Sequence, residues 1–175
     1  MIILSEMMQN IIEFLDTGGQ VLTVIAGVVC LMWLLIFERI GFVFIGYRAL
    51  KQQLNSTWQG RTEQESWHAE QIRIALIARG NAQLMNNLPL IQSLVVLCPL
   101  LGLLGTVTGM IEVFDVMAVS GSGNARSMAS GVSRATIPTM AGMVGSLSGV
   151  FASTWLQRKA KRETELLEDS MPIAQ

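Results

Sequence analysis

Residues 94–111 form a run of 18 without a charge, yet they include Gly102, Gly105 and Gly109 together with Thr106. A helix needs roughly 17 to 25 mostly apolar residues to cross a bilayer core, and inside that core every backbone N–H and C=O must be paired within the structure. The run is therefore constrained to be a spanning helix. On it Gly102, Thr106 and Gly109 fall in one narrow sector, at steps of four and three residues. Such a sector lets a neighbouring backbone come close and offers it one hydroxyl.

Two more runs have the same property. Residues 21–37 are 17 without a charge, and residues 135–156 are longer and richer in small side chains. Only 14% of the 175 residues are charged and 51% are apolar, with 16 glycines and 11 methionines, and the mean hydropathy is +0.47. A soluble domain carries about 25% charge. The expectation is an all-α membrane protein with three transmembrane helices and cytoplasmic helical extensions.

Basic residues set the expected orientation. Glu6, Glu13 and Asp16 precede the first run, whereas Arg48, Lys51, Arg61, Arg73 and Arg79 follow it, and Arg158, Lys159, Lys161 and Arg162 follow the third. The positive-inside bias places the N-terminus outside and both basic segments in the cytoplasm. The expected organisation is an amphipathic periplasmic segment over 1–19 and spans over 20–46, 89–119 and 128–157. A cytoplasmic helical loop over 47–88, a short periplasmic loop over 120–127 and a cytoplasmic tail over 158–175 complete it. An acidic leader without a basic n-region predicts that the first run is retained in the membrane instead of being cleaved as a signal peptide. Cys30 and Cys98 both lie in spanning runs and are expected as free, buried thiols.

Local signals add detail. Met7, Met8, Ile11, Ile12 and Leu15 recur at helical spacing, and Gly18-Gly19 is expected to end that helix. The first span is read as running through Glu38-Arg39 to Tyr47. Gly60 breaks the following segment, Thr62 and Glu65 have the spacing of a capping box, and the helix they start should carry Trp67, Ile74, Ile77 and Ala78 on one face. Pro89 suits the first turn of the second span.

The sequence does not carry the residues of an enzyme, a metal site or a nucleic-acid surface. His68 is the one histidine, with no second ligand at metal spacing; Gly145-Ser-Leu-Ser-Gly149 puts Leu147 where a nucleophile would stand; and a net charge of −1 with cations clustered beside the spans gives no basic stripe. No cofactor is implied. The polar residues inside the spans are more informative. Thr139, Ser146 and Ser153 share one face of the third span, next to Gly131, Ala135, Gly142 and Gly149, with Gly145 a further packing glycine. That stripe suits close helix packing, and equally the lining of a pore or of a partner's ionisable group. Glu38, Arg39, Glu112, Asp115 and Arg134 are the charges at span ends. Each would cost about 2.5 to 3.5 kcal/mol at a helix centre, so they should pair, face water or sit at an interface. Arg134 with Glu112 or Asp115, on the same or a neighbouring chain, is the expected pair. Thr106 and Thr139 are expected at similar depth.

The stretch Cys98-Pro-Leu-Leu-Gly-Leu-Leu-Gly-Thr-Val-Thr-Gly-Met-Ile111, followed by Gly131-Val-Ser-Arg-Ala-Thr-Ile-Pro-Thr-Met-Ala-Gly142, resembles the paired signature of the ExbB/TolQ/MotA family of proton-channel proteins. The resemblance covers the last two spans and the Phe-Glu-Arg-Ile40 end of the first. It implies an inner-membrane subunit of a motor in Gram-negative bacteria, a homo-oligomer, in the family a pentameric ring. The ring surrounds a single-span ExbD-like partner bearing a protonatable aspartate, and the motor drives a TonB-like protein that energises outer-membrane uptake of siderophore, haem or vitamin. It further implies that Thr106 and Thr139 face the partner's aspartate. Two positions depart from the family pattern, Arg134 in place of a glutamate and Pro138 in place of an alanine. Three spans and a short loop look less like a four-span MotA stator or a longer TolQ than like a compact ExbB. Outside the family, a non-conducting membrane scaffold is the alternative.

Overall fold

The computed structural model describes residues 2–60, 66–120 and 125–172, and every regular element among them is helical. In chain order they are α1 (Ile2–Gly41), a π-helical turn (Phe42–Gly46), α2 (Tyr47–Gln59), α3 (Trp67–Met85), α4 (Leu88–Ser120) and α5 (Ala125–Asp169). Three helical stretches are long and apolar enough to cross a membrane. Within the most apolar window of each, only 22% to 28% is buried inside the chain, so most of each helix surface is left for lipid or for other copies.

The expected stop at Gly18-Gly19 is a kink. Helix α1 runs through it, with Gly19 at φ 69°, ψ −166°, a backbone region open essentially to glycine alone. The side chains of Met7, Met8, Ile11, Ile12 and Leu15 lie outside the described residues. At its other end the first helix does not stop at Tyr47 but continues through the π turn into α2, as far as Gln59. Tyr47 N–H donates to the Phe42 carbonyl, five residues back. Gly46 makes room for this turn, because a Cβ there would stand 2.9 Å from the Phe42 ring.

The chain divides into two compact units. The first comprises residues 1–33 and 93–150. Its core is a seam between α4 and α5. Cys98, Gly102, Gly105 and Val113 are buried on α4, and Ala135, Pro138, Gly142, Gly145 and Gly149 on α5. Cys98 is buried as expected, whereas Cys30 is exposed, because it lies off the α1 stripe of Leu22, Ile25 and Met32.

The second unit comprises residues 34–92 and 151–175. Two apolar clusters hold it, one of Leu54, Trp58, Ala69, Leu167 and Met171, the other of Val43, Tyr47, Leu84 and Ala160. Residues 158–169 of the expected tail thus continue α5, and Tyr47 donates to the Glu163 carbonyl at 3.3 Å. Helix α3 carries Trp67, Ile74, Ile77 and Ala78 on one face, as expected, and turns that face largely outward. Trp67 and Ile74 are 68% and 49% exposed, Ala78 is exposed and Ile77 half-buried, while Ala69, Gly80 and Leu84 point inward. One reason is close approach: a Cβ on Gly80 would lie 2.6 Å from Leu167 Cδ2, so at that point a residue without a side chain faces the neighbour. The Thr62 and Glu65 capping box lies outside the described residues; α3 is capped by Ser66, which accepts from His68 N–H. Two residues join α3 to α4, and Asn87 takes φ 62°, a value asparagine tolerates better than most. Pro89 falls in the first turn of α4.

Arg73 closes the end of α5. Its Nε donates to the Met171 carbonyl at 2.6 Å and its Nη2 to the Glu168 carbonyl at 3.3 Å, with a salt bridge to Glu168 at 3.5 Å. The last carbonyls of a helix lack partners within it, and a cation there satisfies them. Arg73→Ala is expected to cost about 1 to 2 kcal/mol and to make the C-terminal turn the first site cut in limited proteolysis.

Candidate functional site

The glycines of α4 and α5 form two facing rows. A Cβ on Gly102 would come within 2.9 Å of Thr139 Cα, and one on Gly109 within 2.6 Å of Ala135 Cβ. On the other helix, a Cβ at Gly142 would lie 2.5 Å from the Cys98 carbonyl oxygen. Gly105 accommodates the Pro138 ring and Gly131 accommodates Val113. Gly145 turns to α1, where Val29 comes within 2.6 Å of the added atom, and Gly149 lies between α1 and α4, with Met32 at 2.5 Å and Val95 at 2.6 Å. The antiparallel register is therefore 98 with 142, 102 with 139, 109 with 135 and 113 with 131. Pro138 suits this seam because its ring packs into the gap left by Gly105.

Two threonine hydroxyls lie along it. Thr139 Oγ1 donates to the Gly102 carbonyl at 2.8 Å, joining the two helices. Thr106 Oγ1 donates to the Leu103 carbonyl of its own helix at 2.7 Å. Both side chains are half-buried. The register puts Thr139 level with Gly102, so Thr106 is one turn further on, about 6 Å along the axis. The expectation of similar depth is corrected by that amount. Ser146 is half-buried and Ser153 is buried, so the expected α5 stripe of Thr139, Ser146 and Ser153 becomes less accessible within the chain toward Ser153.

A cavity of about 630 Å³ opens at one end of this seam. The kink residues Gly18 and Gly19, Thr108 and Glu112 of α4, and Ser130 and Arg134 of α5 all line it. Glu112, Asp115 and Arg134 are exposed, and among the described residues none of the three forms an ion pair within the chain. The expected intrachain pairing is thus absent: Glu112 and Arg134 line one cavity, and exposure lets water solvate each charge.

Glu38 and Arg39 behave differently. Glu38 is exposed and accepts from Asn87 Nδ2 at 3.3 Å. Arg39 is buried, 2% exposed, with Nη1 donating to the Gln83 carbonyl at 3.4 Å and its guanidinium 5.1 Å from the Phe42 ring centroid. Its Nε has no hydrogen-bond partner. Adjacent residues on a helix point apart, so the two form no salt bridge, although the Glu38 charge still favours the guanidinium and the cation–π contact with Phe42 adds to it. The sequence puts Arg39 near an interface but gives no sign of its burial, and the π turn that carries the Phe42 ring beside it has no sequence signature.

A model of the MotA/TolQ/ExbB proton channel family matches residues 45–169. The chain is 40% identical over 81 residues to a Synechocystis sp. protein named for biopolymer transport, ExbB-like 1, an alignment covering 43% of this chain and 32% of that one. It is 31% identical over 99 residues to ExbB-like 3 of the same organism, covering 53% and 44%. The chain thus spans less than half the length of these curated relatives.

Proposed function

Because the chain belongs to the MotA/TolQ/ExbB proton channel family, we propose that it is the ring-forming subunit of a proton-driven, ExbB-like motor in the inner membrane of a Gram-negative bacterium. Its partners in this reading are a single-span, ExbD-like protein with a protonatable aspartate and a TonB-like protein that carries the work to outer-membrane uptake. Transport of a biopolymer class is what the names of the Synechocystis relatives state. The observation that carries the reading is the α4–α5 seam, where glycine contacts bring two spans together with Thr106 and Thr139 beside the contact. The Ser146 position extends the same partner-facing stripe, and Arg134 finds its counter-ion, Glu112 or Asp115, on a neighbouring copy.

Assembly into a ring is supported by apolar surface that one chain leaves open. On α4, Leu100, Leu103, Leu104, Val107 and Ile111 are each at least half exposed, as lipid or helix contact would require. On α3, outside the uncharged runs, Trp67 and Ile74 are exposed on one face, and an apolar face there needs another protein surface. Native mass spectrometry after gentle detergent extraction is expected to show a closed ring of five chains that retains the co-expressed single-span partner. Ile74→Glu should shift it toward smaller species. A stable monomer from the unmodified chain would overturn the reading.

A further inference from the structure

A second cavity, of about 360 Å³, lies within the second unit and differs in chemistry from the first. Met85, Leu88 and Pro89 form its apolar side, and Gln92, Gln157, Arg158 and Lys161 its polar side. Arg158 and Lys161 are three residues apart, a spacing that puts them on one helix face. Both are exposed, and among the described residues neither makes an ion pair or hydrogen bond within the chain. Lys159, between them, is already engaged by Glu163 at 3.1 Å. The cavity therefore presents two uncommitted cations and two amides above an apolar floor.

Its place along the chain narrows the ligand. Arg158 follows the run 135–156 after the single residue Gln157, and Pro89 precedes the run 94–111. The polar side thus falls where hydrocarbon gives way to headgroups, whichever way the protein is inserted. At that depth basic pockets between spans suit lipid phosphates. We infer that this cavity binds the phosphodiester of an anionic phospholipid. Arg158 and Lys161 bind the phosphate oxygens, Gln92 and Gln157 donate to the remaining headgroup oxygens, and the glycerol and first methylenes rest on Met85, Leu88 and Pro89. A soluble phosphate would satisfy the cations but would leave the apolar side in water, so the lipid is the favoured source of the same chemistry. The inference does not depend on the proposed motor function.

The test uses the intact chain, extracted in detergent and stripped of lipid, with binding read by native mass spectrometry. Phosphatidylglycerol is added in one arm, phosphatidylcholine in a second and inorganic phosphate in a third. Phosphatidylglycerol should be retained in preference to phosphatidylcholine. One basic residue near a membrane surface is worth about fivefold in anionic-lipid affinity, so R158Q/K161Q should lower phosphatidylglycerol binding about 30-fold. Both side chains are exposed, so that variant should keep its fold and its phosphatidylcholine binding. K159Q removes the same kind of charge one position away and should leave the preference intact. Equal binding of the two lipids, an equal loss in K159Q, or displacement of phosphatidylglycerol by an equal concentration of inorganic phosphate would each overturn the assignment.

Discussion

Gly142→Ala is expected to disrupt the first unit out of proportion to the single methyl it adds. The new Cβ would stand 2.5 Å from the Cys98 carbonyl oxygen and 3.3 Å from Gly102 Cα. These are backbone atoms of a continuous helix and cannot rotate away, so α4 and α5 must separate along the register that Gly102, Pro138 and Ala135 share. Overpacking of this kind costs about 1 to 3 kcal/mol or more, and Gly142→Leu should leave no folded protein. Gly27→Ala is the control: nothing lies within 4 Å of a Cβ there, and alanine is the better helix former by about 1 kcal/mol. Thermal unfolding in detergent, followed by size-exclusion fluorescence, should show a large loss for Gly142→Ala and none for Gly27→Ala. Equal stability of the two would mean that the seam is not close-packed.

Thr139→Val should have the opposite profile, a small effect on folding and a large one on work. Valine keeps the shape of threonine and deletes its hydroxyl, so the loss of the bond to Gly102 costs about 0.5 to 1.5 kcal/mol. The Gly102 carbonyl still has its place in the α4 backbone ladder. In the proposed motor, by contrast, that hydroxyl faces the partner's acid, and its removal should abolish siderophore-dependent growth while the ring and partner still co-purify. Thr106→Val should act in the same direction more weakly, and serine at either position should restore function because it keeps the oxygen. Normal growth of the double valine variant, with the partner bound, would leave both threonines as packing residues.

Much of this architecture is legible in the sequence because membrane solvation imposes simple rules. Uncharged length predicts the three helices, and the small residues at 102, 105, 109 and 142 predict where backbones can meet. What stays hidden depends on register and on local geometry. The charges of Glu112 and Arg134 share an end of the bundle, yet ending together is not the same as touching, and no intrachain pair follows among the described residues. The apolar face of α3 at Trp67 and Ile74 is legible, but the face that packs inward, with Ala69, Gly80 and Leu84, is not. The π turn over Phe42–Gly46 rests on one ring lying over one glycine, a contact that no periodicity announces.

The direction of the two threonine hydrogen bonds sets what their oxygens can recognise. A hydroxyl has a single proton to give and two lone pairs. Thr139 has committed its proton to the Gly102 carbonyl and Thr106 its own to the Leu103 carbonyl. What each oxygen keeps is its lone pairs, which can only accept. An acid brought against those oxygens can bond to them only while it carries its proton, since a carboxylate has nothing to donate. In the proposed motor such a surface would hold the protonated form of the partner's carboxyl group and release the ionised one, without any titratable group of its own.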